Sequence, residues 1–272
     1  MTQQDPADDA LGGDSSTARY VPDTCIGFDV TADFAHFRKV GNNSAKPSYR
    51  VPPRTTVTGL LAGIMGMPRD SYYDLFSPSS SAVAVVPKKL PHTYTMAITT
   101  VNTKADDAIQ YLPEDKHYTK SAEMLTPESY VTYDRQRDTY EMLVDPVYRI
   151  YVALDDEDIH DELRERLETS RFHYSPALGP SECIADIRNV DTYTVESATT
   201  DAVDSAAYDD SAVVPGPRIT IKRERAPLYM EAVDGGRRTT EFGNITYATD
   251  DDRLPVDESQ THEVGEHEVV LY

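Results

Sequence analysis

The sequence predicts an α+β chain in ferredoxin-like βαββαβ order, with a protruding β-hairpin thumb and a small C-terminal β appendage. Three observations carry the prediction. A double proline at Pro52-Pro53 opens one glycine-rich amphipathic helix, a second amphipathic helix follows the most β-rich run of the chain, and a long polar, tyrosine-rich stretch separates the two halves.

Residues 1–22 are acidic, polar and without apolar periodicity, and read as a disordered tail. Cys25-Ile26-Gly27-Phe28-Asp29-Val30 alternates as a first strand. Residues 34–50, FAHFRKVGNNSAKPSYR, are basic and aromatic in an otherwise acidic chain. Arg38, Lys39, Lys46 and Arg50 lie there among Phe34, His36, Phe37 and Tyr49. Rings interleaved with cations suit stacking on bases and pairing with phosphates. The alternative is a solvated loop carrying a few basic residues.

Pro52-Pro53 holds the preceding residues extended and marks the helix start. Thr55 or Thr56 is the expected cap. Val57, Leu60, Leu61, Ile64 and Met65 then form one apolar stripe, while Gly59, Ala62, Gly63 and Gly66 leave a second face almost bare. An interior glycine costs a helix about 1 kcal/mol relative to alanine. The bare face therefore points to close approach of another backbone or a ligand, or to tight packing on a sheet. Arg54 stands at the helix mouth, where free N–H groups and the dipole favour an anion.

Ala82–Val86 and Thr93–Val101 are expected strands. Residues 102–140 are too polar to pack a core and too long for an ordinary connection, and are expected to protrude as the thumb. Lys116, His117, Tyr118 and Lys120 cluster at its tip. Met142–Leu154 is the strongest strand, with Pro146 at a start, edge or bulge. Asp156–Ser170 carries the stripe Ile159, Leu163, Leu167, acids at its N-terminus and the i, i+4 pair Glu162–Arg166. Glu182–Val190 is the last strand of the core, which places Cys183 and Cys25 near each other as reduced thiols on adjacent strands. The expected division is a core domain over 23–190, an acidic linker over 191–214 and the β appendage over 215–272.

The 272 residues carry 47 acids against 26 bases, a net charge of −21, with arginine outnumbering lysine. That balance fits adaptation to a salt-filled cytoplasm, or an acidic protein that repels nucleic acid. At molar salt the screening length is about 3 Å, so net charge does not exclude an RNA partner. No run approaches the length a membrane helix needs, and the N-terminal stretch is neither signal peptide nor anchor. The expectation is a soluble cytoplasmic protein without membrane contact.

No phosphate-binding loop, dinucleotide fingerprint, zinc-protease motif or nucleophile elbow occurs. Neither the two cysteines nor the seven histidines are set at metal spacing, and His262 and His267 read as surface residues. No metal or cofactor is expected. One catalytic set is conceivable, Tyr49, His36, Lys116 and His117, which could activate a ribose 2′-hydroxyl and protonate the leaving oxygen without metal.

Three segments carry a resemblance: F-x-V-x-x-x-F-A-H-F-R-K at 28–39, PPRTTVTGLLAGIMGM at 52–67 and Y-x-P-A-L-G-x-S-E at 174–182. Together they resemble the fifth family of CRISPR-associated proteins, and within it the haloarchaeal type I-B branch. The resemblance spans most of residues 23–190 and, more loosely, the C-terminal part. It implies a ferredoxin-like RAMP protein with a thumb. It also implies a subunit that caps one end of the Cascade surveillance complex, holds the 5′ handle of CRISPR RNA, contacts the backbone and large subunits, and is no obligate homo-oligomer. Type I-B relatives leave RNA cutting to another protein, whereas the type I-C branch cuts with Tyr, Lys and His. The resulting expectation is a non-catalytic scaffold gripping RNA through Phe37, Arg38, Lys39, Tyr49, Arg50, Arg54, Thr55, Lys116 and Lys120. A metal-independent endoribonuclease and a protein-only adaptor are the alternatives.

Overall fold

The computed structural model describes residues 19–39, 45–101, 135–208, 219–234, 236–249, 252–256 and 261–272. Among these residues the chain is α+β, mostly strand with two helices. In order the elements are β1 (Thr24–Ala32), β2 (Phe34–Ala35), β3 (Phe37–Arg38), β4 (Ala45–Lys46), β5 (Ser48–Tyr49), α1 (Arg54–Met65), β6 (Ser81–Lys89), β7 (His92–Val101), β8 (Arg135–Val144) and β9 (Val147–Leu154). Then follow α2 (Glu157–Thr169), β10 (Ala185–Ala198), β11 (Ala202–Val203), β12 (Ile221–Val233), β13 (Gly236–Ala248), β14 (Leu254–Pro255), β15 (Thr261–Val264) and β16 (His267–Val269).

A six-stranded sheet in the order β16-β15-β10-β1-β9-β6 organises the molecule, with antiparallel neighbours throughout. Side chains alternate across it as strand geometry requires. Ile26, Phe28, Val30, Val83, Val85, Tyr148, Ile150 and Val152 join the main core with the apolar stripes of α1 and α2. Cys25, Ala82, Ala84, Val86, Tyr151 and Ala153 form a second core on the other face, closed by Val264, Val269 and Leu271.

α1 follows the predicted stripe: Val57, Leu60, Leu61 and Ile64 are buried. It ends in a left-handed Gly66 with φ of 75°, and the amides of Gly66 and Met67 return to the Gly63 and Ala62 carbonyls. A Cβ at Gly66 would meet the His173 ring at 2.4 Å, so both conformation and space require glycine there. The start of α1 differs from expectation. The N-cap is Pro53, with no side-chain cap from Thr55 or Thr56. Instead the Arg54 amide donates to the Tyr208 hydroxyl at 3.1 Å, and the Thr56 and Val57 amides donate to the Pro53 carbonyl. α2 keeps its expected stripe, with Leu163 and Leu167 buried, and is capped by Asp156, whose Oδ1 accepts from the Ile159 amide.

Met142–Leu154 is two strands. Asp145, at φ 49°, turns the chain between β8 and β9, and Pro146 precedes the second. β7 and β8 leave the central sheet and pair with each other from His92↔Val144 to Val101↔Arg135. Residues 102–134 of the expected thumb lie outside the described residues.

Three expectations are corrected. First, Cys25 and Cys183 are both buried and free but not near each other. Antiparallel pairing sets Cys25 against Tyr193 and Ala32 against Ala185, so the thiols flank opposite ends of β1. Second, 191–198 is no linker: β10 runs on to Ala198 and pairs with β15. Beyond it Val203, Ser205, Ala206, Ala207 and Tyr208 are buried, with the Ala206 amide donating to the Val85 carbonyl. Small side chains allow that backbone to lie close against its neighbours, and they also gave the stretch its linker-like composition. Third, the C-terminal part is no appendage. β15 and β16 extend the central sheet, β12 and β13 supply Ala226, Leu228, Ile245 and Tyr247 to the main core, and Tyr272 exchanges backbone hydrogen bonds with Val83.

Candidate nucleic-acid interface

β3 and β5 form a short antiparallel ribbon that pairs Phe37 with Tyr49 and Arg38 with Ser48. With two residues per repeat, one face carries both rings and the other carries Arg38. The ring face is the buried one. Phe37 is 2% exposed and packs 6.1 Å from the Tyr148 ring; Tyr49 is 4% exposed and donates its hydroxyl to the Arg225 carbonyl at 2.7 Å. Neither ring is free to stack on a base, which corrects the sequence expectation for both.

The cations of this region divide sharply. Arg38 points to solvent. Lys39 pairs with Glu224 and lies 5.3 Å from the Tyr49 ring centre. Lys46 pairs with Asp138 and donates to the Tyr140 hydroxyl; the Asp138 hydrogen bond holds its ammonium above the ordinary lysine range. Arg50 is half-buried, its guanidinium donating to the Pro91 carbonyl at 2.6 Å and to Thr93 Oγ1 at 3.4 Å.

Arg54 is wholly buried, with 0% exposure, and burial pulls it below the ordinary arginine range. A guanidinium inside the core cannot meet a phosphate, so its expected anion-binding role is corrected. The helix mouth is closed for the same reason: the Tyr208 hydroxyl occupies the amide that an anion would take. Thr55 is half-buried beside the helix. Lys116, His117 and Lys120 lie outside the described residues.

His36 is also sealed. Its Nδ1–H donates to the Glu141 carbonyl at 3.0 Å, because a carbonyl can only accept. Nε2 is buried without a partner, and burial lowers the imidazole below its usual range. Burial and the Glu224 carboxylate raise the Tyr49 phenol. In the described structure both groups are buried, with His36 3% and Tyr49 4% exposed. His262 and His267, expected on the surface, are half-buried, and His267 Nδ1 hydrogen-bonds the Tyr151 hydroxyl at 2.6 Å.

The bare face of α1 is open only at Gly59 and Gly63; Ala62 is buried and Gly66 lies against His173. A Cβ at Gly63 would meet nothing within 4 Å, and one at Gly59 only the Tyr72 hydroxyl at 3.6 Å. Both glycines line a groove of about 490 Å³ shared with Tyr174, Ser181, Met230 and Arg237.

Sequence reading gave β12 and β13 no role, yet they lie against the ribbon. Glu224 joins Lys39 and accepts from the Tyr247 hydroxyl, and Arg225 receives Tyr49. Lys222, Arg223 and Arg225 are exposed. The clue was present in Ile221-Lys222-Arg223-Glu224-Arg225, three cations within four residues of a strongly acidic chain. Among the described residues no cluster of three or more His, Cys, Asp or Glu is placed to hold a metal, and no helix is long and apolar enough to cross a membrane.

No curated protein matches the chain. A CRISPR protein from Archaeoglobus fulgidus is similar in structure, with 13% identity over 90% of this chain and 97% of that one at a TM-score of 0.48. A chain of a CRISPR RNA-guided surveillance complex covers 86% of this chain and 91% of its own, with 13% identity and a TM-score of 0.46. A chain of the type III-B Cmr-beta complex bound to cognate target RNA and AMPPnP gives 12% identity, 85% and 86% coverage and a TM-score of 0.44. The family described as CRISPR-associated protein (Cas_Cas5) matches residues 25–247, most of the chain, and this protein belongs to that family.

Proposed function

We propose that this protein is a non-catalytic, RNA-binding subunit of a Cascade-type CRISPR surveillance complex that holds the 5′ handle of the CRISPR RNA. The observation that carries the reading is the sealing of Tyr49 and His36 beside an exposed Arg38. Among the described residues the region keeps an exposed cation for phosphate, while both described members of the conceivable catalytic set are buried. The strand order β10-β1-β9-β6, with one helix between β1 and β6 and another between β9 and β10, supports a ferredoxin-like RAMP core. The acidic composition, with a net charge of −21, supports the haloarchaeal type I-B branch and a salt-filled cytoplasm. Affinity from counterion release falls steeply as salt rises, so contacts at close range have to supply more of it.

The test is binding and cleavage of a labelled repeat-derived RNA by the purified protein, in molar salt with chelator present. Arg38→Ala combined with Arg50→Ala lowers affinity at least about tenfold, the scale of one charge-assisted hydrogen bond, without changing the melting temperature by more than a few degrees. Unchanged affinity in that double variant overturns the handle site. Cleavage by the wild-type protein that Tyr49→Phe abolishes replaces the reading with the endoribonuclease one. Complexes that assemble normally without RNA replace it with the adaptor.

A further inference from the structure

We propose that the outer face of the β12–β13 hairpin is a second seat for the same single-stranded RNA, with the Arg225–Phe242 pair as its stacking platform. The inference rests on the RNA-binding reading above. It starts from register. Glu224 opposes Ile245 and Ala226 opposes Gly243, and this face turns inward with Ala226, Ile245 and Tyr247 buried. Arg225 opposes Asn244 and Pro227 opposes Phe242, so Arg225 and Phe242 are diagonal neighbours on the other face, within reach of each other.

The Arg225 guanidinium lies 5.2 Å from the Phe242 ring centre, and the ring is 45% exposed. Two other hairpin arginines are differently placed. Arg237 pairs with Asp70 and Arg238 with Glu231. Arg225 has no carboxylate partner among the described residues; the adjacent Glu224 turns to the opposite face, toward Lys39 and Tyr247. An exposed guanidinium on an exposed ring, left uncompensated in a chain of net charge −21, is a pair suited to an anionic ligand with a flat apolar face. A nucleotide has both, and unpaired bases stack on aromatic rings and on guanidinium planes.

Position gives the hairpin a common strand with the first site. The Tyr49 hydroxyl on the Arg225 carbonyl and the Lys39–Glu224 pair fasten β12 directly to the ribbon that bears Arg38. The platform thus lies on the strand pair to which the ribbon is fastened, on the opposite face, and an RNA strand passing from Arg38 reaches it around the hairpin edge.

The test uses the full-length protein and a fluorescently labelled single-stranded RNA of about ten nucleotides, read by anisotropy in molar salt. Phe242→Leu keeps apolar bulk and removes the ring; Arg225→Lys keeps the charge and removes the plane. Each is expected to weaken binding at least about fivefold with an unchanged melting temperature, and the loss persists in high salt because it is stacking that is removed. If Arg38→Ala weakens binding while Phe242→Leu and Arg225→Lys bind as wild type, the hairpin platform is overturned and the handle reading stands. If the wild-type protein binds no RNA, both fail together. If the two hairpin variants keep RNA affinity and instead lose another subunit, the face is a protein interface and the platform is overturned.

Discussion

Arg54 Nη2 donates to Ser81 Oγ at 2.6 Å, and this bond ties the first residue of α1 to the first residue of β6 inside the core. The same nitrogen reaches the Phe76 carbonyl at 3.2 Å and the Ser81 carbonyl at 3.4 Å, and the guanidinium lies 4.8 Å from the Tyr229 ring centre. Nε and Nη1 are buried without hydrogen-bond partners. Arg54→Ala leaves a cavity and takes the guanidinium donor from the Phe76 carbonyl and from Ser81, and is expected to cost about 2–5 kcal/mol. Arg54→Met keeps the stem and removes a buried charge, and is expected to lie within about 1.5 kcal/mol of wild type or to exceed it. Urea denaturation of the two variants decides. A methionine variant as unstable as the alanine one would mean that the charge itself holds the core.

Stability falls with acid through four histidines. His36, His160, His262 and His267 all sit below the usual imidazole range, each chiefly because burial disfavours the charged form. His160 shows why: its Nδ1 accepts the Leu154 amide at 3.2 Å, a bond that protonation breaks. A folded-state value below the unfolded one means the unfolded chain takes up the proton first. The stabilisation is therefore complete above about pH 6.5 and is lost as pH falls from there toward the folded-state values. The urea midpoint is expected to drop between about pH 7.5 and pH 5.5. His160→Asn, which offers an acceptor that does not titrate, flattens that slope by its share. An unchanged slope would remove His160 from the account.

Gly63 is a glycine that the isolated fold does not need. With nothing within 4 Å of its would-be Cβ, Gly63→Ala adds a methyl group without a clash. The variant is expected to be more stable by about 0.5–1 kcal/mol, seen as a higher melting temperature. A lower melting temperature would show that the groove closes on α1 in solution. A stabilised variant that assembles poorly would assign the open face to a partner.

How much of this was legible in the chain follows from the range of each interaction. The apolar stripes Val57–Ile64 and Ile159–Leu167 rest on contacts a few residues apart, and periodicity located them; the turn at Asp145, which splits the single strand expected over 142–154, it did not locate. The alternation of Phe37 with Arg38 was equally visible. Which side of that ribbon is buried was not, because Tyr49 finds its partner at Arg225, 176 residues away. Arg54 looked like a helix-mouth cation until Tyr208, 154 residues on, took its amide and Ser81 took its side chain. Composition misled in the same way over 202–208, where small residues that resemble a linker are small because a backbone packs there. The sequence by itself determined the helices, most of the core strands and the family. Tertiary structure alone decided which cations face water and which rings are spent on the core, since burial is settled by distant segments that no local pattern encodes.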